Sequence, residues 1–188
     1  MDLTGVVSDI YMMEWDKGLI SSMENEAIEV KVYKRYKDDV NIILDLTAVD
    51  EVRTEKDTME RVKVLADAID PALNVTVDYC SNHGDGRLPV LDLKVWIGVN
   101  EEGVNKVMYS HYMKEVASRA TIHYRSSHSM MMKRNVMVNE IGRILGNCSG
   151  EIPWDEAAQH VSYFVQRMQF SGYPEGFRRE VVTEAMLR

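Results

Sequence analysis

The sequence predicts an α+β fold: an antiparallel sheet with accompanying helices over residues 1–115, then a small helical bundle over residues 116–188. Three observations carry that expectation. Apolar and polar residues alternate with period two through IEVKVYKRYKDDVNIILDL and again in the segments after residue 74, as half-buried strands require. Beyond residue 115 the apolar period lengthens to about 3.6, the spacing of helices packed on one face. Short polar blocks rich in Asp, Asn and Gly separate the runs and supply turns.

Taken in order, Val6, Val7, Ile10, Met13 and Leu19 recur at helical spacing, and Tyr11, Met12 and Trp15 broaden the stripe. A helix from Gly5 to about Ile20, buried on one side, is expected, followed by a polar run over Ser21–Glu26. Ile28, Val30 and Val32, then Val40, Ile42 and Leu44, mark two strands, and the polar block Lys34–Asp39 between them must hold a hairpin turn. Met59, Val62, Leu65, Ala66 and Ile69 share a helical face; Thr54 caps that helix and Pro71 stops it. Val75, Val77 and Tyr79 alternate as a strand, the Asn82–Gly86 cluster turns, LPVLDLKVWIGV reads as one apolar strand, and another runs from Val104 to Tyr112. Met131, Val136, Val138, Ile141, Ile144 and Leu145 suggest a helix that ends near Ser149-Gly150, a second is expected from Pro153 as a first helical position, and a third beyond Gly172-Tyr173-Pro174.

A chain of 188 residues with 45% apolar and 28% charged residues is globular in composition and long enough for a core. No run reaches membrane length, and the first residues, interrupted by Asp9, Glu14 and Asp16, read as neither signal peptide nor spanning helix. Cys80 and Cys148 lack CxxC spacing, so a disulfide framework or zinc finger is not expected and a reducing intracellular setting is the default. Thirteen methionines read as core filler. The net charge of −8 is uneven: residues 1–100 hold 11 Lys+Arg against 20 Asp+Glu, residues 101–188 hold 11 against 10. Lys114, Arg119, Arg125, Lys133, Arg134 and Arg143 face only Glu115 and Glu140 across their stretch, and phosphate affinity follows the local field.

Asp38 and Asp39 carry the chemical question. Carboxylates about 4 Å apart repel by roughly 4 kcal/mol at an effective dielectric near 20, and a divalent cation relieves that repulsion. Mg²⁺ takes hard oxygen ligands and keeps positions open for substrate phosphates; two such ions clamp the oxygens of an in-line phosphoryl transfer. On the dipeptide alone a solvated turn is the plain reading, since Asp favours turns. No GxGxxG, Walker lysine loop, HExxH or GxSxG is present, and His123 and His128 have no evident carboxylate or thiol partner. Trp96 and Trp154 read as core aromatics; Tyr112 and Tyr124, beside the basic stretch, are the better base-stacking candidates.

The run RYKDDVNIIL, aromatic-x-Asp-Asp inside a hairpin, resembles the signature of reverse transcriptase palms. LTGVVSDIYMMEWDKGL is similar to the helix after that family's template-positioning loop. DYCSNHGDGRLPVLDLKVWIG is similar to its strand pair leading into the primer-gripping hairpin. Its LPVLD core is closest in kind to Penelope-like and related eukaryotic retroelement enzymes. HYMKEVASRATIHYRSSHSMMMKRNVMVNEIGRIL and FSGYPEGFRREVV resemble the helical thumb, so the likeness spans nearly the whole chain. It implies a partial palm over 1–115 and a thumb-like domain over 116–188.

That resemblance implies that Asp38 and Asp39 bind catalytic Mg²⁺ (or Mn²⁺), with Asp39 also supporting the primer end, and that Tyr36 lies against nucleic acid at the growing terminus. Lys37 stands where better-known members carry a small or apolar residue, either touching a phosphate or solvated. Arg125, Lys133, Arg134 and Arg143 would run beside the template–primer backbone, and Leu88, Pro89, Leu91 and Asp92 would form a primer-grip-like element. The implied partners are an RNA or DNA template–primer and dNTPs, with no membrane; a nuclear location follows from the likeness alone. The family's first catalytic aspartate and its fingers precede the point where this sequence begins, and no lysine sits in the Asp70–Asn74 loop. The chain alone is therefore expected not to polymerise, and an unpaired sheet edge is expected to favour self-association. The alternatives are a non-catalytic nucleic-acid- or protein-binding helical module from a decayed or domesticated retroelement, or a plain domain with no surviving function.

Overall fold

The computed structural model describes residues 3–46, 54–100, 102–114 and 121–188. Among them are five α-helices and two small antiparallel sheets, an α+β chain. Contacts divide it into two compact units, Met1–His83 and Gly84–Arg188. The boundary expected at residues 115–116 lies next to and within 115–120, outside the described residues.

In the first unit, α1 (Leu3–Asn25) packs on the hairpin β1 (Glu29–Tyr36) and β2 (Asp39–Asp45) and on α2 (Glu55–Ile69). Its core is Trp15, Leu19, Met23, Ile28, Val62 and Ala66. Each large side chain fully withdrawn from water there contributes about 2 kcal/mol. The buried stripe of α1 is thus Trp15, Leu19 and Met23, with Met12 beside it. Of the stripe expected from sequence Leu19 and Trp15 are buried, whereas Val6, Val7, Ile10, Tyr11 and Met13 are exposed. The helix is apolar on two sides, and periodicity does not say which side finds a partner. The polar run Ser21–Glu26 continues the helix to Asn25.

The end of α1 is a Schellman motif. Ile28 N donates to Met23 O at 2.9 Å and Ala27 N to Glu24 O at 3.0 Å, while Met23 and Ile28 are both buried. The left-handed position, usually glycine, is Ala27 at φ 57°. α2 begins with a reciprocal capping box. Asp57 N donates to the Thr54 hydroxyl at 3.2 Å, and Thr54 N donates to the Asp57 carboxylate at 3.1 Å. The Thr54 hydroxyl also donates to that carboxylate at 2.7 Å, and this bond, with the one from Thr54 N, holds the Asp57 carboxyl below the usual carboxylate range. Residues 74–79 form no strand, correcting the expectation for Val75–Tyr79. Val75 still packs on the core, so its apolar pattern reflects burial without a ladder partner.

The second unit begins with a three-stranded sheet, order β3-β4-β5: β3 (Leu88–Val90), β4 (Leu93–Val99) and β5 (Asn105–His111). LPVLDLKVWIGV is therefore a hairpin and not one strand. Val90 pairs with Leu93, and Leu91 turns at φ 55°, a reversal that a run of apolar residues conceals. Pro89, which lacks an N–H, sits in the edge strand. Helices α3 (Met130–Gly146), α4 (Trp154–Phe170) and α5 (Glu175–Met186) then enclose a core of Met137, Val138, Ile141, Ile144, Val161, Phe164, Met168, Tyr173, Val181 and Ala185. Ser129 caps α3, and Pro153 is the residue before α4 and not its first. Trp154, expected in the core, is 60% exposed; Trp96 is half-buried with the Arg87 guanidinium 4.1 Å from its ring centre. No described helix is long and apolar enough to cross a membrane.

Candidate functional site

The acidic pair stands at the tip of the β1–β2 hairpin. Tyr36 pairs with Asp39, leaving Lys37 and Asp38 as a two-residue turn, and Tyr36, Lys37, Asp38 and Asp39 are all exposed. Lys37 has φ 57°. A left-handed non-glycine residue costs roughly 1–2 kcal/mol and persists where its surroundings hold it.

Which way the tip faces is set lower down the ribbon. The ladder slips between Val30 and Val32, so Lys31 has no counterpart on β2. Before the slip Ile28 and Val30 face the core; after it Tyr33 and Arg35 take that side, opposite Ile42 and Val40. Val32, expected inside, is exposed for the same reason. By the two-residue period of a strand, Tyr36 and Asp39 share the opposite face, with Lys34 and Asn41.

The inward residues meet a carboxylate from α1. The Tyr33 hydroxyl donates to Asp16 Oδ1 at 2.7 Å, and Arg35 Nε donates to Asp16 Oδ2 at 2.8 Å. The same guanidinium donates through Nη1 to the Lys37 carbonyl at 3.0 Å. The Arg35 and Asp16 side chains are 13% and 17% exposed, so the pair is screened less than a surface ion pair. Burial, reinforced by Asp16, pushes the Tyr33 hydroxyl well above its ordinary pKa. Sequence reasoning missed Asp16 and Arg35. They lie 19 residues apart on a helix and a strand, and no short-range spacing marks such a pair.

Residues expected to be primer-grip-like surround the β3–β4 turn. Leu91 is exposed at its tip, and Leu88 and Pro89 are half-buried. Asp92 accepts from Arg143 and, at 2.9 Å, from Asn147 Nδ2. Arg143 also meets Glu140 at 2.8 Å, which holds the Glu140 carboxyl below its usual range.

The expected phosphate contacts fare differently. Lys133 is 2% exposed, and its ammonium donates to the carbonyls of Tyr124 at 2.6 Å and Ser126 at 2.7 Å. It braces the loop before α3, which corrects its assignment to nucleic acid: a buried ammonium needs partners, and it has found them inside. Arg134 pairs with Glu180 and Glu184 on α5. Arg125 is exposed. Tyr124 packs against Tyr173 and Phe177 and does not offer a free stacking face; Tyr112 lies under Lys94, 5.6 Å from its ring centre. A further polar cluster was not anticipated: His111 and His160 meet edge to face at 5.4 Å, beside the Arg87–Glu156 pair. Burial lowers the pKa of both histidines.

No protein-family model, curated protein or solved structure matches this chain. The donor chemistry of the acidic turn fits a hard divalent cation, because Mg²⁺ is commonly held by one or two carboxylates with water and substrate phosphates completing its shell. Among the described residues no group of three or more His, Cys, Asp or Glu stands together as a metal cage.

Proposed function

We propose that this chain is the palm and thumb portion of a reverse transcriptase from a retroelement, with Asp38 and Asp39 as the metal-binding carboxylates of RNA-templated DNA synthesis. The observation that carries the reading is an exposed two-residue turn, flanked by Tyr36, that presents adjacent aspartates at the end of an antiparallel hairpin packed on a helix. Mg²⁺ bound there would stabilise charge on the oxygens that exchange during nucleotidyl transfer. The chain's own residues hold the ion through Asp38 and Asp39, offer Tyr36 to the primer terminus, and leave Lys37 in solvent beside the phosphate path.

The isolated chain supplies two carboxylates and is expected to give no template-dependent product from a primer, dNTPs and Mg²⁺. Metal binding tests the reading directly. Mn²⁺ added to the ¹⁵N-labelled chain is expected to broaden the amide signals of Lys37–Val40, and Asp38→Asn to remove that broadening. No localised broadening in the unaltered chain would refute the proposal.

The alternative, a helical module binding nucleic acid through α3, loses most of its basic contacts to internal partners: Lys133 is buried, and Arg134 and Arg143 are paired with carboxylates. Arg125 is the exposed cation that remains of that set.

A further inference from the structure

We propose that Asp16 and Arg35 are positioning residues for the acidic turn, forming a strut from α1 through the guanidinium to the peptide bond that precedes Asp38. The inference rests on the metal-binding reading of Asp38 and Asp39 and adds the device that sets their geometry.

Lys37 O and Asp38 N belong to one planar peptide unit, and the Asp38 Cα lies in that plane. The bond from Arg35 Nη1 to Lys37 O at 3.0 Å therefore fixes the plane from which the Asp38 side chain departs. The other end of the guanidinium is fixed by Asp16 at 2.8 Å, and Asp16 is itself fixed by the Tyr33 hydroxyl at 2.7 Å. A guanidinium is a rigid planar fork, so holding one edge holds the other. Lysine, a single point donor on a flexible stem, does not span both acceptors. The device also accounts for the left-handed Lys37: its φ of 57° persists because its carbonyl is held from outside the turn. Asp9, with its carboxylate 3.8 Å from Arg35 Nη1 and largely exposed, adds charge but no strong bond. The bulge at Lys31 belongs to the same device, since it brings Arg35 to the side of the ribbon that faces α1.

Residues that orient metal ligands from behind typically change metal affinity by about 10–100-fold when removed. Arg35→Lys and Asp16→Asn are each expected to weaken Mn²⁺ binding at the turn by about tenfold, with the thermal midpoint and the amide spectrum of the α1–α2 core kept. Arg61→Gln, at the exposed pair with Glu26, serves as the control and leaves Mn²⁺ affinity unchanged. Amide relaxation is read without metal: Lys37, Asp38 and Asp39 are expected to be as rigid as β1 in the unaltered chain and mobile in Arg35→Lys. In the unaltered chain the Arg35 Nε–H is also expected to exchange slowly with solvent, a readout that needs no variant to fold. Rapid Nε–H exchange, or an Arg35→Lys chain with unaltered turn relaxation and Mn²⁺ affinity, would overturn the strut. Should Mn²⁺ broaden nothing in the unaltered chain, the metal reading fails, while the relaxation and exchange data still decide the strut.

Discussion

Replacing Lys133 with Met tests whether this residue is a brace or a phosphate contact. Met keeps the unbranched stem and about the same volume, so packing is largely retained while the ammonium is lost. Two charge-assisted bonds disappear, to the carbonyls of Tyr124 and Ser126, together with the weaker approach to the Tyr124 ring at 5.9 Å. A hydrogen bond to a charged group contributes roughly 1.5–3 kcal/mol net, and a buried carbonyl left bare costs about 1–3 kcal/mol. Removing the desolvated charge returns part of this, because burying an ammonium is itself unfavourable. The net expectation is a loss of about 2–3 kcal/mol, a 30- to 150-fold larger open population at about 1.4 kcal/mol per decade. Native-state hydrogen exchange at Met137, Val138 and Ile141, in the core of the second unit, reads this opening free energy. Amides of residues 122–126 should lose protection first. A variant within about 0.5 kcal/mol of the unaltered chain, a typical surface effect, would refute the reasoning and return Lys133 to the surface role that sequence suggested.

Three other outcomes are expected. Ala27→Gly should raise stability by about 0.5–1 kcal/mol, because glycine adopts the left-handed C-terminal position without the penalty alanine carries; thermal unfolding measures it, and a lower midpoint would contradict the Schellman assignment. The second unit should lose stability as pH falls below about 6.5. His111 and His160 have lowered pKa values in the fold, so the unfolded chain binds protons first and the contribution present above the ordinary histidine pKa disappears on acidification. Burial is the main cause in both. Arg143 and Arg87 oppose protonation, while Asp92, Glu140 and Glu156 favour it, and replacing both histidines with glutamine should flatten the pH 5–7 dependence of unfolding. Arg143→Ala should speed amide exchange at Asp92 and Leu93 about tenfold, as the β3–β4 turn loses its tie to α3; unchanged exchange would show that Asn147 alone suffices.

Much of the backbone was legible because local chemistry agreed with the tertiary answer. Thr54 and Pro71 bound α2, the alternation around RYKDD gave the hairpin and its tip, and the apolar spacing after residue 130 gave three helices, the first of which stops at Gly146, short of the end expected near Ser149-Gly150. The failures share a physical cause. The choice of buried face on α1, the missing partner for Val75–Tyr79 and the inward turn of Lys133 all depend on what packs alongside, which no local pattern contains. Leu91 reverses the chain in a left-handed conformation without a glycine or asparagine to announce it. At the candidate site the two acids and their neighbour Tyr36 were visible as residues. The strut behind them was not, because Asp16 gains its meaning from a strand 19 residues away.

The spare residue at Lys31 acts as a phase shifter for the ribbon. Deleting it would close the ladder and leave every later residue on its present side, so a shortened β1 should still aim its tip correctly. One residue added across from it, between Ile43 and Leu44, would close the ladder equally well. With Ile28 and Val30 anchored in the core, that insertion would swing Arg35 into water and bring Tyr36 against Asp16. The aim of the aspartates thus depends on which strand resolves the mismatch five residues before the tip begins, and a single codon inserted on the opposite strand would blind it while sparing every acidic residue.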